Sequence, residues 1–379
     1  MAAVAAVLVA GGAFGYLSLH GTGGPGDTQT PAAGGTPAAA GASGTNPSRS
    51  PSPSASASPV SPSLTPPSPL PGYLMIADRA NDRLLLVDSG KRVLWTYPAP
   101  GSKPAMPFYF DDDVFFGRDH TVLISQQEEQ QTIQLLSFPE GKLLWSYGHV
   151  NVRGSSAGSL STPDDAYLLP DGTVSVADVR NCRVVFISPG HKVVRQLGTT
   201  GVCGHHPPDQ LASPNGDTPL PDGGTLVTEI NGSWVDDISA AGKLVWSVHA
   251  PVRYPSDAQW LGDGKILLAD YSSPGHVLEM STSGKVLWEY GPPSGPGALN
   301  HPSLALMLPN GLIAVNDDFR DRVVLIDPKT KRIVWQFGHT DAPGSAPGFL
   351  HVPDGMDFLP FDVAASNPAI ARLVGLSKP

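Results

Sequence analysis

Apolar and polar residues alternate over short stretches from residue 72 onward, which is typical of half-buried β-strands. One phrase recurs at the end of these stretches: a turn with Gly or Lys, two apolar residues and an anchor that is usually aromatic. The six anchors are Trp95, Trp145, Arg195, Trp246, Trp288 and Trp335. Successive anchors are 42 to 51 residues apart. Repeats of this length built from short strands predict an all-β fold, a six-bladed β-propeller.

The two ends of the repeat region do not match each other. Residues 72–78 resemble a second strand, so the first blade lacks an inner strand. Residues 350–360 match the lead into an inner strand, as at Leu160 and Pro163. We predict that the C-terminal segment supplies the missing strand and closes the ring, which removes two exposed sheet edges. The propeller then covers residues 72–362, followed by a tail at 363–379.

The first 71 residues differ in composition from the rest of the chain. Residues 1–20 are uncharged apart from His20 and mostly apolar, and residues 21–71 are nearly all Pro, Ser, Gly, Ala and Thr. We interpret the first stretch as a single-pass transmembrane anchor, with a cleaved signal or a buried helix as alternatives. The second stretch cannot bury apolar surface and is expected to be a disordered linker. The propeller is therefore expected outside the cell membrane, or secreted if residues 1–20 are cleaved.

Net charge excludes some partners. The formal charge is −10, and Lys and Arg are not clustered. This argues against nucleic acid as a partner and against binding of the propeller itself to an anionic membrane. A protein, a glycan or a small ligand is expected instead, and the propeller is expected to be monomeric.

The chain has two cysteines, Cys182 and Cys203. The predicted connectivity places both on one face of blade 3, the face formed by the links between blades and the turns after second strands, here called the top face. An exported chain favours a structural disulfide between them. Two free thiols, or a metal site that also uses His205 and His206, are the alternatives.

Acidic residues end the second strand of five blades. They are Asp78, Asp178, Glu229, Asp270 and Asp317, with Gln126 at the corresponding place in blade 2. In three blades an arginine follows five residues later, giving the pairs Asp78 and Arg83, Asp178 and Arg183, and Asp317 and Arg322. Such acids are expected to cap the following turn and pair with the arginine. A ring of carboxylates that binds a cation is the alternative.

Several other residues are candidates for function. The tryptophan anchors are expected to wedge between blades. His301 and His351 lie where inner strands begin, near the channel mouth, and are the catalytic candidates. The candidates for ligand binding on the top face are His149, His205, His206, His339 and Tyr254.

Two repeat families resemble this chain. The turns from Asp78 to Arg83, from Asp178 to Arg183 and from Asp317 to Arg322 resemble the Asp-x-x-Asn-x-Arg turn of NHL repeats. The outer strands, such as residues 327–335, look like the tryptophan motif of PQQ-like repeats, and residues 254–359 are similar to exported actinobacterial propellers. The resemblance covers about 290 residues and implies the fold. PQQ itself is not expected, because quinone dehydrogenases generally have eight blades and a dedicated cofactor site.

These observations favour a membrane-tethered, extracytoplasmic propeller that binds a protein, glycan or small ligand through its top face without catalysis. The alternative is an enzyme at the channel mouth, similar to arylsulfate sulfotransferases or to metal-dependent hydrolases and lyases, that uses His301 and His351. No metal site is assigned to particular residues. A divalent cation is the one cofactor candidate, because lyases and lactonases on six-bladed rings bind metals around the channel.

Overall fold

A computed structural model describes residues 69–376, which form six four-stranded antiparallel sheets arranged as a propeller ring. The predicted fold class is thereby confirmed. The anchor predicted at residues 1–20 and nearly all of the linker predicted at 21–71 lie outside this part of the chain. Leu70 is buried in the core, so packing begins two residues before the first strand.

Every blade contains an inner, a second, a third and an outer strand. Blade 1 has β1 (Gly72–Asp78), β2 (Arg83–Asp88) and β3 (Val93–Tyr97). Blade 2 has β4 (Asp111–Phe116), β5 (Val122–Gln127), β6 (Thr132–Ser137) and β7 (Leu143–Gly148). Blade 3 has β8 (Pro163–Leu168), β9 (Val174–Asp178), β10 (Arg183–Ile187) and β11 (Val193–Leu197).

The second half of the ring follows the same order. Blade 4 has β12 (Pro214–Pro219), β13 (Thr225–Glu229), β14 (Trp234–Ile238) and β15 (Leu244–His249). Blade 5 has β16 (Pro255–Gly262), β17 (Lys265–Asp270), β18 (His276–Ser281) and β19 (Val286–Tyr290). Blade 6 has β20 (Ala305–Met307), β21 (Ile313–Asp317), β22 (Arg322–Asp327) and β23 (Arg332–Gly338), and β24 (Pro353–Pro360) follows it.

Closure of the ring occurs as predicted, because β24 is the inner strand of blade 1. It pairs antiparallel with β1, with Gly72 opposite Pro360 and Tyr73 opposite Leu359. Gly72 is required by this close approach, since a Cβ there would lie 2.4 Å from the carbonyl oxygen of Leu359. The first and last strands of the ring therefore depend on each other.

The core lies between adjacent blades, and the tryptophan anchors pack into it as predicted. Four indole N–H groups donate to a backbone carbonyl of the next blade, at 2.8 to 3.1 Å. These are Trp95 to Pro139, Trp145 to Pro189, Trp288 to Pro328 and Trp335 to Ser89. Trp246 packs with apolar residues of blades 4 and 5. These anchors are scaffold residues.

Two short helices follow the closing strand, in the segment for which the sequence indicated only a tail. They are α1 (Phe361–Ser366) and α2 (Pro368–Leu373), and Asn367 caps α2 by accepting hydrogen bonds from Ala369 and Ile370. Ala364 and Ile370 pack against blades 1 and 2. No helix within residues 69–376 is long and apolar enough to cross a membrane.

Candidate functional site

The acid at the end of a second strand holds a turn together in blades 1, 3 and 6. In blade 1, Asp78 accepts from Asn81 at 2.9 Å, from Arg83 at 2.7 Å and from the backbone N–H of His351 at 2.7 Å. The carboxylate thus ties its own turn to the incoming link between blades.

The same contacts recur in the other two blades. Arg183 donates to Asp178, and Arg322 donates to Asp317, each at 2.7 Å. The side chains of Arg322 and Asp317 are 2% and 0% exposed, so this ion pair is removed from water. The three acids, here called the turn acids, therefore have a structural partner, and we assign them no ligand.

The other three blades have different residues in place of the aspartate–arginine pair. In blade 3, Asp178 pairs with Pro163, the first residue of the inner strand. In blade 2 the residue that pairs with the first residue of the inner strand, Asp111, is Gln127. The prediction that Gln126 occupies this place was therefore wrong by one residue. Blade 5 uses Asp270 with His276 at 3.4 Å. In blade 4 the residue after the turn is Trp234, and Glu229 instead contacts His205 at 3.0 Å.

A second set of acids, overlooked in the sequence, lies on the inner strands around the central channel. We call them the channel carboxylates: Asp112, Asp113, Asp164, Asp165, Asp257 and Asp354. All are buried except Asp164, which is half-buried. Inner strands face the axis of a propeller, and the channel is therefore lined by carboxylates from four of the six blades.

Arg79 neutralises one side of this channel. Its guanidinium forms ion pairs with Asp112, Asp354 and Glu128, and it lies 4.7 Å from the ring centroid of Phe110. The side chain of Arg79 is only 8% exposed. The channel thus already binds one cation, which is a side chain of the protein itself.

The opposite side of the channel has no such partner. Within residues 69–376, no Lys, Arg or His forms an ion pair with Asp113, Asp165 or Asp257. Asp165 lies against both Asp113 and Asp257. Gly216 permits this approach, because a Cβ there would lie 3.1 Å from Asp165 Oδ2 and 3.2 Å from Asp257 Oδ1.

Burial of these acids changes their protonation. Burial raises the pKa of Asp165 well above its usual range, and the charges of Asp257, Asp113, Asp164 and Asp217 raise it further. Burial likewise raises the pKa of Asp113 and of Asp217 well above the usual range. Because a charge of opposite sign favours the ionised form, a cation in the channel would displace these protons.

An aromatic rim lies on one side of the channel mouth, on blades 5 and 6. It consists of Tyr254, Tyr271, His301 and Phe319, whose neighbouring ring centroids are 5.3, 4.9 and 4.8 Å apart. Tyr254 donates to Asn215 of the inner strand of blade 4 at 3.0 Å. Burial raises the pKa of Tyr254 well above its usual range, and the charges of Asp164, Glu128, Asp112 and Asp354 add to this. The rim therefore lies close to the channel carboxylates.

The two catalytic candidates have different surroundings. Nδ1 of His301 lies 2.8 Å from Oδ1 of Asn300, and its ring stands edge-on to Tyr271 and Phe319. His301 has a left-handed backbone, with φ 54°. The left-handed residue of the last link is Val352, which follows His351, so the two histidines occupy different places in the repeat. The backbone N–H of His351 donates to Asp78. No hydrogen bond joins the two rings within residues 69–376.

The cysteines and the other histidines are distributed around the top face. Cys182 and Cys203 form a disulfide with Cα atoms 5.2 Å apart, and neither thiol is free to bind a metal. His205 is half-buried against Trp234, whereas His206 and His149 are exposed. His339 is exposed and lies 4.1 Å from the ring of Phe349. These histidines do not converge on one site.

Replacement of tryptophan in blade 3 opens a cavity on the opposite face. The guanidinium of Arg195 lies 4.4 Å from the ring centroid of Phe186 and donates to Ser239 of blade 4 at 3.1 Å. A cavity of about 410 Å³ lies beside it, between blades 3 and 4. Arg195 thus keeps the contact to the next blade but fills less space than an indole.

A signal for the channel carboxylates was present in the sequence. Inner strands begin with Pro followed by two small or acidic residues, as in residues 163–165, 214–216, 255–257 and 353–355. Aligning these leads would have shown one polar position repeated in every blade. The tryptophan phrase was the more visible pattern, and it marks the scaffold.

Comparisons with known proteins agree with the fold and do not identify the chain. No protein-family model matches it, and no curated protein matches it. A protein of unknown function from Bacteroides caccae aligns with 76% of this chain and 98% of its own, at 17% identity and a TM-score of 0.53.

Two further structures are similar. A chain of the nidogen/laminin complex aligns with 75% of this chain and 97% of its own, at 15% identity and a TM-score of 0.50. Virginiamycin B lyase from Staphylococcus aureus aligns with 62% of this chain and 71% of its own, at 16% identity and a TM-score of 0.44. Identities this low show the fold alone.

Proposed function

We propose that this chain is a non-catalytic binding propeller that takes a positively charged ligand into its central channel from the top face. One observation carries the proposal: buried carboxylates converge on the channel, and within residues 69–376 the guanidinium of Arg79 is the one that pairs with them. Buried charges of one sign are costly unless a partner compensates them. A bound cation is the direct way to remove this cost.

The aromatic rim supports the same proposal. Aromatic faces attract cations, and the attraction is stronger where water is excluded. Burial lowers the pKa of His301, so the imidazole is neutral at pH 7 and does not repel a cation. The ligand would therefore meet Tyr254 and Tyr271 before it reaches the carboxylates.

We also propose that the propeller lies outside the cell membrane. Residues 1–20 would anchor the chain, and residues 21–71 would hold the propeller away from the bilayer. The resemblance to NHL and PQQ-like repeats is compatible with this arrangement, because propellers built from similar repeats have many different functions. His301 and His351 have no role in chemistry under this proposal.

The test is calorimetric titration of the purified full-length protein, freed of metal with EDTA. One arm uses CaCl2 and the other spermidine, at pH 8 and low ionic strength, with NaCl as a control for screening. We expect one arm to show saturable binding. Asp165→Asn should weaken it at least about tenfold, whereas Asp209→Asn, which changes an exposed acid near the top face, should not. The proposal fails if neither arm binds more tightly than NaCl, or if both variants bind alike.

A further inference from the structure

Blade 4 departs from the other blades on the top face, away from the channel carboxylates. Where blades 1, 3 and 6 pair an acid with arginine, blade 4 brings together His205, Glu229 and Asp236, here called the blade 4 cluster. The imidazole Nδ1 and one oxygen of each carboxylate lie within 4.8 Å of one another. Both carboxylates are 0% exposed. The cluster therefore holds two buried acids and no arginine.

Asp236 faces a second buried acid, Glu229, and the hydroxyl of Ser247, and no lysine or arginine forms an ion pair with it within residues 69–376. In the strand pairing it occupies the position of Leu85, Val185, Leu278 and Val324 in four blades and of the buried Gln134 in blade 2. No hydrogen bond of normal geometry reaches either of its carboxylate oxygens within residues 69–376, although Ser247 lies alongside. The Oε1 atom of Glu229 is likewise without a hydrogen bond. These oxygens are buried acceptors directed at one another.

His205 is oriented for coordination through Nδ1. Its ring stacks on Trp234, with centroids 4.0 Å apart and planes 9° from parallel. Its Nε2 lies 3.2 Å from Oγ of Ser247. A histidine that binds a metal through one ring nitrogen usually donates the other N–H to an oxygen, which fixes the ring. The Cys182–Cys203 disulfide holds the loop two residues before His205.

We propose that the blade 4 cluster binds a transition-metal dication of the Zn²⁺ class, with His205 Nδ1, Glu229 and Asp236 as ligands. One nitrogen and two carboxylate oxygens form a set that Zn²⁺ accepts, at about 2.0–2.2 Å from the ion. Small rotations of the three side chains would bring the donor atoms to these distances. Ser247 is a positioning residue that holds the ring of His205. The ion takes the place that arginine has in blades 1, 3 and 6.

The test uses the full-length protein after EDTA treatment, titrated with Zn²⁺ in competition with a chromophoric chelator. We expect one equivalent to bind at the blade 4 cluster, separate from any cation in the channel, and Co²⁺ to give visible absorption bands of a low-coordinate site. His205→Gln and Asp236→Asn should each weaken Zn²⁺ binding at least about 100-fold, and Ser247→Ala about 10- to 100-fold. His276→Gln is the matched control, since His276 also pairs with an acid but has no third ligand.

Other outcomes contradict the proposal. It is overturned if the folded wild type binds no Zn²⁺, or if His205→Gln binds as tightly as His276→Gln. If Asp236→Asn is more stable than wild type but leaves Zn²⁺ binding unchanged, the two acids share a proton rather than a metal. Circular dichroism of each variant confirms folding. Asp165→Asn should retain this equivalent, so a failure of the channel proposal can be recognised separately.

Discussion

The turn acids and the channel carboxylates are the same residue type, buried in every case except Asp164, in opposite situations. Asp317 accepts hydrogen bonds from the side chain of Arg322 and the backbone N–H of Asn300, whereas Asp165 faces other acids. Burial raises the pKa of Asp317 to about 6, with Arg322 opposing the rise. No positive charge opposes it at Asp165. The difference teaches that burial of an acid is structural where the chain supplies its partner, and indicates a ligand where it does not.

The largest expected effect on stability comes from removing the arginine that pairs with a turn acid. Arg322→Met should destabilise the protein by about 3–5 kcal/mol, because it leaves Asp317 buried without its cation. Chemical denaturation measures the change in the free energy of unfolding. Arg153→Met is the control, because the side chains of Arg153 and its partner Glu129 are 48% and 45% exposed, and it should cost at most about 1 kcal/mol. Equal effects would show that burial of the pair does not matter.

The pH dependence of stability is expected to be the next largest effect. Burial raises the pKa of Asp111 to about 8 and that of Asp317 to about 6, above the usual 3.8. As pH rises from about 4, the unfolded chain loses these protons first, so stability falls with pH up to about 8. Only histidines with a lowered pKa, such as His120 and His301, act in the opposite direction, near pH 6.5.

This loss of stability with rising pH should be measurable in the protein without added cation. The free energy of unfolding should decrease by on the order of 3 kcal/mol between pH 5 and pH 8. Urea denaturation at both pH values checks the sign. Stability that rises over this range would mean that the buried acids are ionised and compensated in the folded protein.

The smallest expected effect comes from removing one channel charge. Asp165→Asn should stabilise the cation-free protein by about 1–3 kcal/mol at pH 8, because a neutral amide replaces a carboxyl held against other acids. The gain should vanish at pH 5, where the carboxyl of the wild type is already protonated. Asp178→Asn should instead destabilise at both pH values, since Asp178 accepts from Asn181 and Arg183. Thermal melting of the two variants compares the regions directly.

The sequence predicted the scaffold because the scaffold repeats. The anchors Trp95 to Trp335 and the unmatched ends at Gly72 and Pro360 were enough for six blades and the closing strand. The helix at Pro368–Leu373 was missed, although Asn367 followed by proline is a helix start. A segment this short gives no reliable hydrophobic period.

The candidate sites were harder to predict for a physical reason. The blade 4 cluster joins His205, from the link before the blade, to Glu229 and Asp236 on two paired strands, where Asp236 lies opposite Val227. Asp165 and Asp257 come from blades 3 and 5, and they approach each other across Gly216. The repeated leads mark the polar positions of the inner strands, but local pattern does not show which of them meet across blades.

The central claim is that uncompensated channel carboxylates bind a cation. Calorimetric titration of CaCl2, and separately of spermidine, at pH 6.5 in two buffers with different heats of ionisation tests it most directly. Binding should release protons from the wild type and fewer from Asp165→Asn, because the cation displaces protons held by the channel carboxylates. Binding without proton release, or the same release from both proteins, would contradict it.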